Sequence, residues 1–158
     1  IHTDIERQEG HDAAMKLYGM NEDLAYMVDQ LDMIREGAEK VKASNPSKKI
    51  MKQVAPLINE LDAMKKTWVV TTGDNYVGQA APELREKIAT LYSEVAGYAG
   101  KPSNAQLESL ALRESELNQA KADLDTVMKR LETINQLLSK KEMDQINYRT
   151  REEFINSK

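Results

Sequence analysis

Leu110, Leu117, Leu124, Leu131 and Leu138 stand seven residues apart. That interval returns a side chain to nearly the same face of an α-helix every two turns. Ala120, Val127 and Ile134 fill the second stripe position, and Arg113 interrupts it near its start. Ser103 with Gln106 makes a capping box that opens this helix just after Lys101-Pro102. A leucine seam of this length must be covered. A free coiled coil and a long bundle helix both satisfy it. The rest of the sequence supplies helices able to cover the seam, so the bundle is the expected setting.

The same period governs the N-terminal part. Leu17, Met20, Leu24, Met27, Leu31, Ile34, Ala38 and Val41 step by three and four without a miss, which puts them on one helical stripe. The expected start is near Asp12 or a little earlier. The expected end is at Ser44-Asn45-Pro46, because the residue before a proline avoids the α region. Gly19 and Gly37 lie inside, each costing about 1 kcal/mol relative to Ala. A second helix follows, with Pro46 in its first turn and the stripe Ile50, Val54, Leu57, Leu61, Met64, Trp68. Pro56 should kink it. A third helix follows Pro82, with Leu84, Ile88, Leu91, Val95 and Tyr98 on one face, stopping near Gly97 to Gly100. Thr150 to Glu153 forms a further capping box ahead of Phe154 and Ile155, which predicts a short terminal helix docking those two side chains, with a frayed end as the alternative.

These stripes, joined by short connections, predict an all-α fold: an antiparallel up-down bundle of about four helices with a short C-terminal helical tail. The first and fourth helices are the longest and should pair along their length. Residues 1–158 are expected to form a single helical domain. The chain begins at Ile1, so the expectation is a piece excised from a larger protein.

Between the second and third helices, residues 69–81 break the pattern. Val69 to Thr72 are β-formers and Gly73-Asp74-Asn75 is turn chemistry. A loop is the preferred reading over a short hairpin. Trp68, Asp74, Asn75 and Tyr76 are the candidate interaction residues there, since an aromatic pair can anchor an interface. The competing reading is that Trp68 closes the end of the second stripe, and its spacing favours that.

Composition bears on the chemistry. The chain has 22 basic and 26 acidic residues, interspersed, for a net charge of −4, so no basic patch invites nucleic acid. It contains no Cys and only two His, His2 and His11, and no Glu-x-x-His motif of the kind that holds a di-iron centre in a helical bundle. No metal site, no cofactor site and no catalytic residue is expected. Gly73 to Gly78 lacks the ending of a phosphate loop. No apolar run is long enough to insert in a membrane. Of the eight Met residues, Met20, Met27 and Met64 fall on core stripes and read as filler more than as a peptide groove.

One stretch carries a resemblance. Lys66 to Tyr76, then Leu84-Arg85-Glu86-Lys87-Ile88-Ala89-Thr90-Leu91-Tyr92, then Lys101-Pro102-Ser103 resembles the helical C-terminal region of bacterial sortilin-like β-propeller proteins. These are often labelled glycosyl hydrolases or BNR-repeat proteins. The likeness spans residues 10–158. It departs in the loop, where relatives place a proline soon after the Asn and this chain has Val77-Gly78. The resemblance implies an upstream β-propeller of the same chain as partner, export to the periplasm, cell surface or medium, and a non-catalytic accessory role for the helices. No catalytic residue carries over. The alternative expectation is a stand-alone protein-interaction or self-association module, with the leucine seam pairing between chains.

Overall fold

The computed structural model describes residues 1–71 and 81–158. Its regular elements are α1 (Asp4–Ala43), α2 (Lys48–Trp68), α3 (Leu84–Ala96), α4 (Asn104–Lys140) and α5 (Arg151–Asn156). Among the described residues there is no strand, so the fold is all-α. Helices α1 and α4, at 40 and 37 residues, are the longest, against 21 for α2 and 13 for α3.

Helix starts are set by side chains that satisfy the orphan N–H groups of the first turn. At α1 the Thr3 hydroxyl accepts from the Glu6 N–H at 3.1 Å, and the Glu6 carboxylate accepts from the Thr3 N–H at 2.8 Å. This capping box moves the start eight residues ahead of Asp12. The hydrophobic stripe begins later, so periodicity alone places the start too late. At α2 the cap is Ser47, whose hydroxyl lies 3.4 Å from the Ile50 nitrogen. Pro46 therefore sits before the cap and outside the helix. The Ser103/Gln106 box (3.1 and 3.0 Å) and the Thr150/Glu153 box both form.

Helix ends are equally specific. After α1 the chain turns through Asn45 at φ 58°. Asn tolerates the left-handed region because its short polar side chain can bond locally. After α4 the Met143 N–H donates to the Leu138 carbonyl at 2.9 Å and the Glu142 N–H to the Ser139 carbonyl at 3.1 Å. This is a Schellman turn with Glu142, at φ 57°, in the position usually held by Gly.

The chain divides into two compact units. Unit 1 comprises Ile1–Ala25 and Lys66–Gln119, and unit 2 comprises Tyr26–Lys65 and Ala120–Lys158. Helices α1 and α4 contribute to both.

In unit 1, α1 runs antiparallel to α3. The His2 ring meets Tyr98 edge-on at 5.1 Å, while further along α1 the Tyr18 ring lies 6.2 Å from Tyr92. Gly10 abuts the Gly100 carbonyl just ahead of α4, and Lys16 pairs with Glu114 at 2.6 Å. Residue numbers rise together along α1 and α4, so these two helices run in the same direction here. A Cβ at Gly10 would stand 2.5 Å from the Gly100 oxygen, so a close backbone approach requires Gly there. The core is Leu17, Met20, Leu24, Trp68, Ile88, Leu91 and Leu117, all buried. Tyr98, expected on the inner face of α3, is 53% exposed. The helix ends at Ala96, and Tyr98 lies past the turn.

In unit 2, α2 runs antiparallel to α1. Arg35 pairs with Asp62, and Asp32 with Lys65 at 2.7 Å. A step of three back along α1 matches a step of three forward along α2. Glu60 of α2 pairs with Arg130 of α4. Inside, Leu31, Ile34, Ala38, Val54, Leu57, Leu61, Leu124, Val127, Leu131, Ile134 and Leu138 are buried. Met64 is only partly buried. Pro56 lies within α2 on an exposed position, where the Lys52 carbonyl that loses its donor can meet water. Phe154 of α5 packs against Tyr26, with ring centroids 5.6 Å apart, but Ile155 is 53% exposed and does not dock.

Candidate interaction surfaces

The residues proposed for the 69–81 loop divide. Trp68 is 3% exposed and packed at the end of α2 beside the equally buried Val69, so its indole serves the core of unit 1. Asp74, Asn75 and Tyr76 lie outside the described residues. At the near edge of that segment, the Val70 N–H donates to Glu86 Oε1 at 3.3 Å, and Arg85 reaches the same oxygen at 3.1 Å. Burial pushes the Glu86 carboxyl up. Hydrogen bonds from its own and the Val70 backbone N–H, with Arg85 beside it, outweigh that and hold it below the usual carboxylate range. Its other oxygen is buried without a hydrogen-bond partner among the described residues. The group ties the chain after α2 to α3.

Among the described residues, no three His, Asp or Glu side chains come together as metal ligands, and no helix is long and apolar enough to cross a membrane. His2 lies against Tyr98, with Nδ1 4.0 Å from Glu6. His11 lines a shallow surface groove. Several carboxylates of α1, α2 and α4 pair with a neighbouring helix, as in Asp62 with Arg35 and Glu114 with Lys16. Glu36 and Lys40 close a same-helix pair at 3.5 Å on the outer face, which adds only tenths of a kcal/mol.

Among the described residues, most of the large apolar side chains that meet solvent lie on unit 1: Ile5, Met15, Tyr18, Tyr98, Leu107 and Leu112 are exposed and all within it. Between α1 and α3, Met15 and Tyr98 help to wall a groove of about 350 Å³ with Ala14, Tyr92, Val95 and Ala96, and Arg7 and His11 lie at its rim. Between α1 and the start of α4 a second groove, about 480 Å³, has Ala13, Pro102, Leu107 and Leu110 on its floor and Glu9, Asp12, Lys16 and Lys101 around it. Apolar floors with charged rims suit a protein partner more than a small polar substrate. Sequence periodicity puts Tyr98 and Leu110 on inward stripes and passes over Met15, Tyr18, Leu107 and Leu112, because it ranks only the inward face. The signal that could have found them is the surplus of Met, Tyr and Leu at positions off that stripe.

Unit 2 carries a different surface. Past α4 the chain crosses α1 as an irregular strap. The Ile146 N–H donates to Asn135 Oδ1 at 2.8 Å, and Asn135 Nδ2 donates to the Ile146 carbonyl at 3.0 Å. The Ile146 side chain is 2% exposed and sits against Gly37, where a Cβ would meet it at 2.8 Å. Arg149 engages Asp29 through two guanidinium nitrogens, and the Tyr26 hydroxyl donates to the Arg149 carbonyl at 2.7 Å. Burial raises the Tyr26 hydroxyl above its ordinary range.

Comparison of the chain with protein-family profiles, with curated proteins and with solved structures found no match.

Proposed function

We propose that this chain is a non-catalytic accessory helical domain that packs on, or extends from, a sortilin-like β-propeller of a larger, exported protein. The observation that supports it most is the gathering of exposed Met, Tyr and Leu side chains on unit 1. A chain that covers its own leucine seam and still leaves these side chains in water has a face suited to docking. The resemblance described for residues 66–103 supplies the kind of partner. Any carbohydrate or peptide site, and any hydrolase label, belongs to the propeller in this reading. The stand-alone self-association reading has less support, because Leu110, Leu117, Leu124, Leu131 and Leu138 are all buried within this chain and offer no seam to a second copy.

The test is calorimetric titration of this chain with the separately expressed propeller. Binding with a negative heat-capacity change is expected, since apolar area is buried. A Met15→Glu/Tyr98→Glu double variant with unchanged circular dichroism should lose at least tenfold in affinity. Absence of binding by the wild-type chain, or full binding by the variant, would overturn the reading.

A further inference from the structure

The strap over unit 2 is bound in the way a separate peptide would be bound. Residues 143–149 have no regular structure, so their backbone groups need partners from elsewhere. Asn135 supplies two of them, matching its amide to the N–H and C=O of Ile146. That readout is indifferent to side-chain identity. Two further contacts are selective. The Gly37 notch accepts the side chain of Ile146, and the Asp29 carboxylate, only 13% exposed, takes the Arg149 guanidinium in a two-nitrogen grip.

Two more hydrogen bonds hold the segment: the Tyr26 hydroxyl donates to the Arg149 carbonyl, and Gln145 Nε2 donates to the Ser139 hydroxyl at 2.6 Å. Asp144, Gln145, Asn147 and Tyr148 are exposed. Open grooves of about 390 and 600 Å³ flank the Gly37–Ile146 contact. Among the described residues, the strap faces these grooves with the exposed Asp144, Gln145 and Asn147, so it can lift from that side. The seat it leaves is made by α1 and α4, on which Leu31, Ile34, Leu131 and Ile134 are buried.

We propose that this face of unit 2 is an acceptor for an extended peptide carrying a β-branched apolar residue followed three positions later by Arg. In this chain the acceptor is closed by its own residues 143–149. When the strap lifts, the same segment of a second copy can enter. A short tether keeps the resident segment at an effective concentration of order millimolar, so the closed form dominates in dilute solution.

The experiment opens the site within the full chain and offers the segment in trans. Two variants are made, Ile146→Asp and Arg149→Glu. Each is titrated into a fluorescent synthetic peptide of residues 142–158, read by anisotropy, with circular dichroism as the fold control. Saturable binding to the opened chains, at least tenfold tighter than to the wild-type chain, is expected. A peptide carrying Ile146→Asp should bind at least tenfold more weakly. With Asp29→Arg added to the Ile146→Asp chain, a peptide carrying Arg149→Glu should bind more tightly than the natural peptide. If Ile146→Asp unfolds the chain, the Arg149→Glu chain gives the same reading. Loss of helicity in both variants would make the strap part of the core and overturn the proposal. Equal binding of the substituted and natural peptides, or none to any folded opened chain, would also overturn it.

Discussion

Three glycines of α1 show how much a single residue position can decide. Gly10 faces a backbone carbonyl and Gly37 faces the stiff, buried Ile146, whereas Gly19 has nothing within 4 Å of where a Cβ would stand. The intrinsic helix gain of Ala over Gly is the same at all three, about 1 kcal/mol. Gly19→Ala should therefore raise stability by about 1 kcal/mol in a thermal or urea melt. Gly37→Ala should lower it, because Ile146 is β-branched and cannot rotate away cheaply, and it should release the strap first. Proteolysis near residues 141–150 reads that release directly: faster cleavage is expected in Gly37→Ala and unchanged cleavage in Gly19→Ala. From the sequence these positions look alike, as Gly within a helical pattern. What separates them is a partner over one hundred residues away in the case of Ile146, and no local spacing encodes that contact.

At the scale of elements, most of the secondary structure was legible. The three-and-four stepping of α1, the stripe of α2 from Ile50 to Leu61, and the leucine repeat of α4 each give a correct inward face. Burial on one side of a helix imposes that period, so it survives in the sequence without any knowledge of neighbours. Errors fall where another force sets the outcome. The start of α1 is fixed by Thr3 and Glu6 ahead of the stripe, and Tyr98 keeps the right spacing but lies beyond the end of α3. Ile155 has the capping box it needs but no surface to meet. The surfaces were less legible than the helices. Met15, Tyr18 and Leu112 sit off the inward stripes, and the strap has no period at all. Cap energetics can be checked on α4, where Ser103→Ala removes one acceptor from the first turn. A loss of about 1 kcal/mol is expected, with hydrogen exchange faster at Gln106 and Leu107 and unchanged beyond the second turn.

At the scale of the molecule, each unit has its own way of holding the chain around its helices. In unit 1 the carboxylate of Glu86 binds the segment after α2. Its folded-state pKa lies below its unfolded value of about 4.3. The stability it contributes is therefore present above that value and is lost as pH falls through the folded value. The difference in melting temperature between wild type and Glu86→Gln should be largest near neutrality and shrink from about pH 5 downward. A difference that stays constant down to pH 3 would mean that shape alone accounts for the contact. In unit 2 the strap relies on the Arg149–Asp29 pair, the Asn135 amide and the Gly37 notch.

The leucine seam is covered from within the chain, and in the proposed reading the apolar side chains left on unit 1 meet a different protein. Light scattering across a concentration series, from low to high micromolar, tests it most directly. The account predicts a monomer mass of 17.9 kDa throughout. A dimer that grows with concentration and is abolished by Met15→Glu/Tyr98→Glu would contradict it, because an apolar face of unit 1 would then be seeking a second copy; a dimer made by strap exchange would survive that variant.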